Sequence, residues 1–456
     1  MERNSSYLQN IESNIKGVAW PPLLSGSAAT LSVILRQLEE SQWWKPEEIL
    51  AKQMRQLALL SNHCYQYSAQ FKERMICANL KPRDLLGIGG LAKLPPLTRQ
   101  DIKFSKQPMF CTNVPDSHKP ICEDSTSGST GEPLVIRKTV LNSMLWLAIT
   151  MREHFWNKRD FSKRLMVITA DVEELQETQT WGEPVDLLFP SGRVMSVNIT
   201  TDIKEQIKYI KEFRPAGLLT YPNNLAGLID ECEKENISLD GIEYLWSISE
   251  TVSAQLRQRA RKFFGVEIHD NYSSTELGVI AIQCPTSGLY HIMAENVLVE
   301  VLNEHGAPCK VGEIGKIVAT ALHNFAMPLI RYEIGDYAEV GPPCSCGRGL
   351  PTLKAIHGRS RNLLTLPDGT RHWPTFLKVK VEEFPAIRQF QFIQNDLYNI
   401  ELKIFSDKPL HKDDEEKLRL GIQESFGYKF NVTFSYFNKR LPVNANGKFE
   451  EFICMV

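Results

Sequence analysis

Nine residues, Ser125 to Pro133 (STSGSTGEP), concentrate hydroxyls and glycines in a pattern suited to holding an anion. Glycine lets the backbone turn its N–H groups inward, and Ser and Thr hydroxyls add donors, so the stretch can cradle a phosphate. It is not a Walker A loop, because no Gly-Lys-Ser/Thr follows at the required spacing. A flexible surface loop has a similar composition, so the reading depends on what else the chain supplies.

Four further stretches could complete such a site. NYSSTELG (Asn271–Gly278) ends an expected strand and presents Glu276, an oxygen ligand of the kind that Mg²⁺ uses while bridging phosphates. Tyr272 in the same stretch can stack on a planar base, although Ser/Thr-rich strand ends are also ordinary turns. RYEIGD (Arg331–Asp336) offers Asp336, whose two acceptor oxygens suit the two hydroxyls of a ribose. HGRSRN (His357–Asn362) offers Arg359, and PVNANGKF (Pro442–Phe449) puts Lys448 on a loop from which a cation could reach a phosphate. Each of these has an ordinary reading too: a turn, a solvated arginine, a solvated lysine. Separately, Cys284, His291, Cys344 and Cys346 combine soft thiolates with an imidazole. That is a tetrahedral zinc set with no open position, hence structural rather than catalytic, and Gly347 and Gly349 would permit a tight knuckle. Free thiols beside a surface histidine are the alternative.

The elements that must position these residues can be read from periodicity. The first hundred residues are mainly helical: Ile49, Met54, Leu57, Leu60 and Cys64 recur at helical spacing, and Thr98 is placed to cap a helix after two prolines. From Met144 to Leu302, short apolar runs (165–169, 217–220, 244–249 and 267–272) alternate with amphipathic stretches around 203–213, 225–232 and 252–263. This alternation predicts a parallel sheet with helices on its faces, and ligands beyond the carboxyl ends of its strands. Residues 297–340 change to strand patterns broken by glycines, predicting a small antiparallel sheet or barrel. From about Ser360 a separate α+β unit is expected, with a hairpin at Asp368-Gly369 and a helix led by Asp413 and Asp414.

Composition narrows the class. The chain has 456 residues, 43% hydrophobic and 23% charged, consistent with two or three globular domains. A net charge of −2 gives no electrostatic case for nucleic acid or an anionic membrane surface. The first residues carry no secretory pattern, and no apolar run reaches a membrane span. Ten scattered cysteines suggest a reducing, cytoplasmic setting.

Taken together and in this order, the five stretches resemble the adenylate-forming (ANL) superfamily, nearest its phenylacetate–CoA ligases and capsule-biosynthesis relatives. LAKLPPLTRQDI and NHCYQYSAQFKERM are also typical of that branch, and the resemblance spans about residues 45–456. It implies an α/β fold: a large N-terminal α/β adenylation domain (1–359) with a β-rich subdomain (297–357), and a small mobile α+β C-terminal lid domain (360–456). Residue by residue, it implies that Thr126, Ser127, Gly128, Ser129, Thr130 and Gly131 hold ATP phosphates, with Tyr272 and Ser273 beside the nucleotide. Thr275 would contact the α-phosphate, Glu276 would bind Mg²⁺, and Asp336 and Arg359 would hold the ribose. Lys448 would stabilise charge as the carboxylate attacks. Tyr221, Ser247, Glu250, Asn271 and Gly278 would line the acid pocket. Trp181, Phe189 and Trp246 are candidates for an apolar wall suited to an aryl or arylacetic acid, although each aromatic is more often core than pocket, and Arg193 could instead pair a second polar group on the acid. One departure lies at the hinge, where GRSRNLL replaces the family's GRSDD and puts Arg361 and Asn362 at the pivot.

The resemblance thus implies an AMP-forming acid–thiol ligase that activates a small-molecule carboxylic acid and passes it to CoA; it also allows a homodimer. A second hypothesis keeps the adenylation but hands the acyl group to the phosphopantetheine thiol of an acyl carrier protein, or to an amine, in a natural-product pathway. A third is a non-catalytic nucleotide-binding protein; the presence of Lys448, Glu276 and Asp336 argues against it.

Overall fold

The computed structural model describes residues 11–125, 134–359, 364–372, 381, 384, 386–406, 408–426, 428–442 and 449–456. The chain forms two compact units, one comprising 1–165, 177–194 and 269–356, the other 166–176, 195–268 and 357–456. Among the described residues no helix is long and apolar enough to cross a membrane.

The first unit begins with helices Gly26–Ser41, Pro46–Tyr67 and Ala69–Cys77. Proline sits at the first turn of the second helix, where its missing N–H costs nothing, and Ser68 caps the third by accepting from Phe71 N. The first helix buries Leu31, Leu35 and Leu38 in the same core as Ala148, Ile149 and Met151 of helix Val140–Trp156. The next two bury Leu57, Leu60, Cys64, Phe71 and Met75 together with Leu322 and Ile330.

The sheet of this unit runs, in spatial order, through strands Val297–Leu302, Ile314–Ala321, Tyr332–Val340, Thr352–Arg359, Tyr290–Ile292, Gly278–Gln283 and Ile268–Ser274. The antiparallel character expected from Val297 onward begins earlier. Ile268–Ser274 already pairs antiparallel with Gly278–Gln283, because only Thr275, Glu276 and Leu277 separate them and so short a link cannot cross over to a parallel neighbour. A separate pair of strands, Ile121–Ser125 and Val135–Thr139, runs antiparallel. Cross-strand pairs Arg137–Glu123 (2.7 Å) and Lys138–Asp124 (2.6 Å) brace it.

In the second unit the expected α/β alternation is present. Strand Gly217–Thr220 pairs parallel with Tyr244–Ser247, and helices Ile203–Phe213, Pro222–Glu235 and Ala254–Phe264 contribute Ile207, Ile210, Leu225, Leu228, Ile229, Leu256 and Ala260 to one core. The C-terminal segment has its own core. Its sheet runs Asn431–Phe437, Asn399–Ser406, Ile387–Gln394 and Phe452–Cys454, the outer pairs parallel and the central pair antiparallel. Helix Lys412–Phe426 carries Asp413, Asp414 and Glu415 in its first turn, where acidic groups meet the positive end of the helix dipole. The hairpin expected at Asp368-Gly369 forms between Leu364–Thr365 and Arg371–His372; Gly369 has φ +84°, and Asp368 Oδ1 accepts from Thr370 N.

Candidate functional site

In the first unit the three-residue turn after Ser274 places Thr275 and Glu276 at the rim of the sheet, while Asp336 lies midway along Tyr332–Val340. The structure joins these motifs directly. Tyr272 Oη donates to Asp336 Oδ2 at 2.7 Å, so the base-side and ribose-side candidates form one polar group. Tyr332, 1% exposed, donates its hydroxyl to Glu276 Oε1 at 3.2 Å. Arg99 Nη1 stands 3.9 Å from the same oxygen. Both contacts use Oε1, which leaves Oε2 unengaged among the described residues: a carboxylate anchored by one oxygen and presenting the other is suited to a hard cation.

Asn271, on the same strand, donates Nδ2 to Glu153 Oε2 at 2.8 Å, and Glu153 Oε1 accepts from Arg159 Nη2 at 2.9 Å. That ion pair is almost wholly buried. The Asn271 amide therefore has its NH₂ toward Glu153. Gly278 has φ +75°, and a Cβ there would lie 3.5 Å from the indole of Trp146. Trp146 was not singled out by sequence; its helix is apolar on several faces, which hides a half-exposed tryptophan among packing residues. Ser273 is exposed on the strand.

In the second unit, Tyr221 is buried with its hydroxyl accepting from Ala170 N at 3.3 Å, and burial pushes its phenol pKa up. Ser247 is buried, and its hydroxyl has no hydrogen-bond partner among the described residues. Glu250 Oε2 accepts from Asn223 N (3.0 Å) and its Oε1 from Phe449 N (2.7 Å). Trp246 is half-buried on its strand. Thr126, Ser127, Gly128, Ser129, Thr130, Gly131, Arg361, Asn362 and Lys448 lie outside the described residues, as does the side chain of Arg359.

Two groups named from the sequence are engaged elsewhere. Trp181 and Phe189 pack with Phe161 at ring separations of 5.6 and 5.4 Å, and the Trp181 indole N–H donates to Lys163 O. Arg193 pairs with Glu177. Arg331, the first residue of RYEIGD, is a structural surprise. It is 2% exposed, has φ +53°, and forks onto Glu300 at 2.9 and 3.0 Å while donating to the carbonyls of Ala92 and Leu94.

The Tyr272–Asp336 bond gives a direct test. Replacing Tyr272 with Phe keeps the ring and removes one hydrogen bond to a charged group, worth about 1.5–3 kcal/mol. We expect ATP affinity to fall by roughly 10-fold or more at unchanged thermal stability; calorimetric titration with ATP would read it, and wild-type affinity would contradict the role.

The cysteine and histidine residues converge, although their spacings are not those of a common zinc finger. The ligand atoms of Cys284, His291, Cys344 and Cys346 all lie within 4.8 Å of one another. Cys344 Sγ is 3.8 Å from Cys284 Sγ, and Cys346 Sγ is 3.3 Å from His291 Nε2. Tetrahedral Zn–S bonds of about 2.3 Å require S–S edges of about 3.8 Å, so the donor set fits that ion. His291 Nδ1 faces Leu350 O at 3.4 Å, leaving Nε2 for the cluster. Burial raises the Cys284 thiol, but hydrogen bonds from His291 and Ser287 outweigh it and bring it down to about 5; burial pushes Cys346 up to about 11. Gly347 has φ +85°, and a Cβ on Gly349 would strike Trp44 O at 1.8 Å, so both glycines of the knuckle are required by the backbone.

Comparison with known proteins follows the same lines. The family model described as "AMP-binding enzyme" matches residues 88–326, and the "CapK C-terminal domain" model matches 367–454. A phenylacetate–coenzyme A ligase of Escherichia coli (strain K12) is 23% identical, covering 74% of this chain and 77% of that protein. Protein CapK of Staphylococcus aureus is 22% identical, with 84% of each chain covered. Among solved structures, a 2-hydroxyisobutyryl-CoA ligase in its postadenylation state, complexed with R3-HIB-AMP, superposes with a TM-score of 0.74 at 15% identity over 91% of each chain. That likeness speaks to the fold.

Proposed function

The chain belongs to the AMP-binding enzyme family, in its phenylacetate–CoA ligase and CapK-like branch, and from that premise we propose that it condenses ATP with an aryl or arylacetic acid to form an acyl-adenylate and then a CoA thioester. The observation that carries this reading is the linked group Tyr272–Asp336 beside Glu276, whose Oε2 is unengaged among the described residues. In the proposed mechanism, Asp336 accepts from the ribose and Tyr272 lies along the adenine. Thr126–Gly131 cradle the phosphates. Glu276 would hold Mg²⁺, which when bound would supply neutralisation of the phosphate charge. Asn271, its amide held by Glu153, lines the acid pocket. Lys448 offsets the negative charge that develops as the carboxylate oxygen attacks the α-phosphorus. We take 1–359 as the adenylation domain and 360–456 as the lid that brings Lys448 to it. None of the ten cysteines forms a disulfide, in keeping with a reducing, cytoplasmic setting.

Incubation with ATP, Mg²⁺, phenylacetate and CoA should release AMP and pyrophosphate in equal amounts with phenylacetyl-CoA, as read by mass spectrometry. ADP as the product would contradict the reaction. If an adenylate accumulates and is consumed only on adding a holo carrier protein or an amine, then CoA is not the acceptor.

We also propose that Cys284, His291, Cys344 and Cys346 hold a structural Zn²⁺. Elemental analysis should give one zinc per chain, and chelation should lower the melting temperature by several degrees without changing affinity for ATP. Metal-free protein with wild-type stability would remove the proposal.

A further inference from the structure

We infer that Arg99 is a pyrophosphate-binding residue of the adenylation reaction, an assignment that rests on the function proposed above. Its position is built by the backbone. Leu97 N donates to Arg331 O at 2.6 Å and Leu97 O accepts from Glu333 N at 2.9 Å, so Leu97 pairs with Tyr332 as a short parallel bridge. Thr98 then turns the chain, with Thr98 Oγ1 accepting from Asp101 N (3.1 Å) and Asp101 Oδ2 accepting from Thr98 N (2.8 Å). Arg331 holds the segment just before, through the carbonyls of Ala92 and Leu94. The outcome is a guanidinium 3.9 Å from Glu276 Oε1, partly exposed at 29% of its side-chain surface.

The same apolar core lies under every part of this neighbourhood. Leu97 and Ile102 flank Arg99, Ile136 lies on strand Val135–Thr139, Leu277 follows Glu276, and Tyr332 reaches Glu276; all five are buried in one cluster. Arg99 therefore stands over the packing layer that also supports the exit strand of the phosphate stretch and the magnesium candidate.

Chemistry gives the cation its task. As the carboxylate oxygen bonds to the α-phosphorus, the bond from that phosphorus to the bridging oxygen breaks, and the electron pair leaves with pyrophosphate. Charge thus accumulates on the leaving group next to Glu276, a carboxylate. A planar guanidinium can fork onto two phosphate oxygens, which an ammonium cannot. Before nucleotide arrives, the same group neutralises Glu276. A dication on Glu276 would take over that neutralisation.

The test uses magnesium pyrophosphate and AMP as separate calorimetric probes on the full chain. Arg99→Gln is expected to weaken magnesium pyrophosphate binding by about 10- to 100-fold and to leave AMP binding unchanged. Arg99→Lys should fall between Gln and wild type. Thioester formation from preformed acyl-adenylate, which has no β- or γ-phosphate, should keep its wild-type rate in both variants. Equal weakening of AMP and pyrophosphate would make Arg99 a packing residue and overturn the assignment, as would wild-type pyrophosphate affinity in Arg99→Gln. Should Arg99→Gln not fold, Arg99→Lys decides alone: wild-type pyrophosphate affinity overturns the assignment, and a selective loss supports it. If the wild-type chain itself shows no acid-dependent pyrophosphate exchange, the parent reading fails instead.

Discussion

Lys448→Ala is expected to slow acid-dependent pyrophosphate exchange by about 10²- to 10³-fold, while ATP affinity stays within a few-fold of wild type. A preorganised cation aimed at developing charge contributes mainly in the transition state, so its loss appears in kcat rather than in ground-state binding. The chain immediately after this lysine is anchored. Phe449, the next residue, donates its N–H to Glu250 at 2.7 Å, and Arg440 reaches Asp230 and both the carbonyl and side chain of Asn223. Glu250 thus anchors the chain at Phe449. Rapid-quench measurement of adenylate formation alongside equilibrium ATP titration would separate the two effects; equal loss of rate and affinity would contradict the role of Lys448.

Arg331→Met should destabilise the first unit by about 3–5 kcal/mol, the range for removing one partner of a buried ion pair. Burial already pushes the Glu300 carboxyl up against the opposing pull of Arg331. Without the guanidinium, Glu300 is left as an uncompensated buried charge, and the carbonyls of Ala92 and Leu94 lose a donor. Chemical denaturation would measure the loss. Replacing Glu300 with Leu in the same chain should recover part of it, since apolar replacement of both partners avoids the stranded charge. If the double variant is no more stable than Arg331→Met, the cost does not come from Glu300.

The contrast between these two residues shows what was legible in the chain. Lys448, Glu276 and Asp336 could be proposed from type and order, because an ammonium after Asn-Gly and a carboxylate after a strand carry recognisable chemistry wherever they fold. Arg331 sits in an equally visible motif, yet its use depends on Glu300 and on a linker far earlier in the chain, pairings that no local pattern encodes. Arg99 is of the same kind: its place beside Glu276 follows from Leu97 bridging to Tyr332. The strand Ile121–Ser125 was missed because ICEDS is exposed along its whole length, so neither alternation nor an apolar run marks it. The cysteine–histidine set was legible as a donor list, but its geometry comes from folding, which brings Cys344 to 3.8 Å from Cys284. The parallel α/β segment was read well because its helices keep clean apolar stripes, as Ile207, Ile210 and Phe213 do. It was extended too far because strand periodicity does not reveal whether the next strand returns or crosses over.

The central claim, that this chain joins ATP to a carboxylic acid, is tested most directly by pyrophosphate–ATP exchange across a panel of aryl, arylacetic and short aliphatic acids. The account predicts exchange that requires both Mg²⁺ and an acid, strongest with an aryl or arylacetic member and lost in Lys448→Ala. A protein that binds ATP yet exchanges pyrophosphate with no acid in the panel would contradict it.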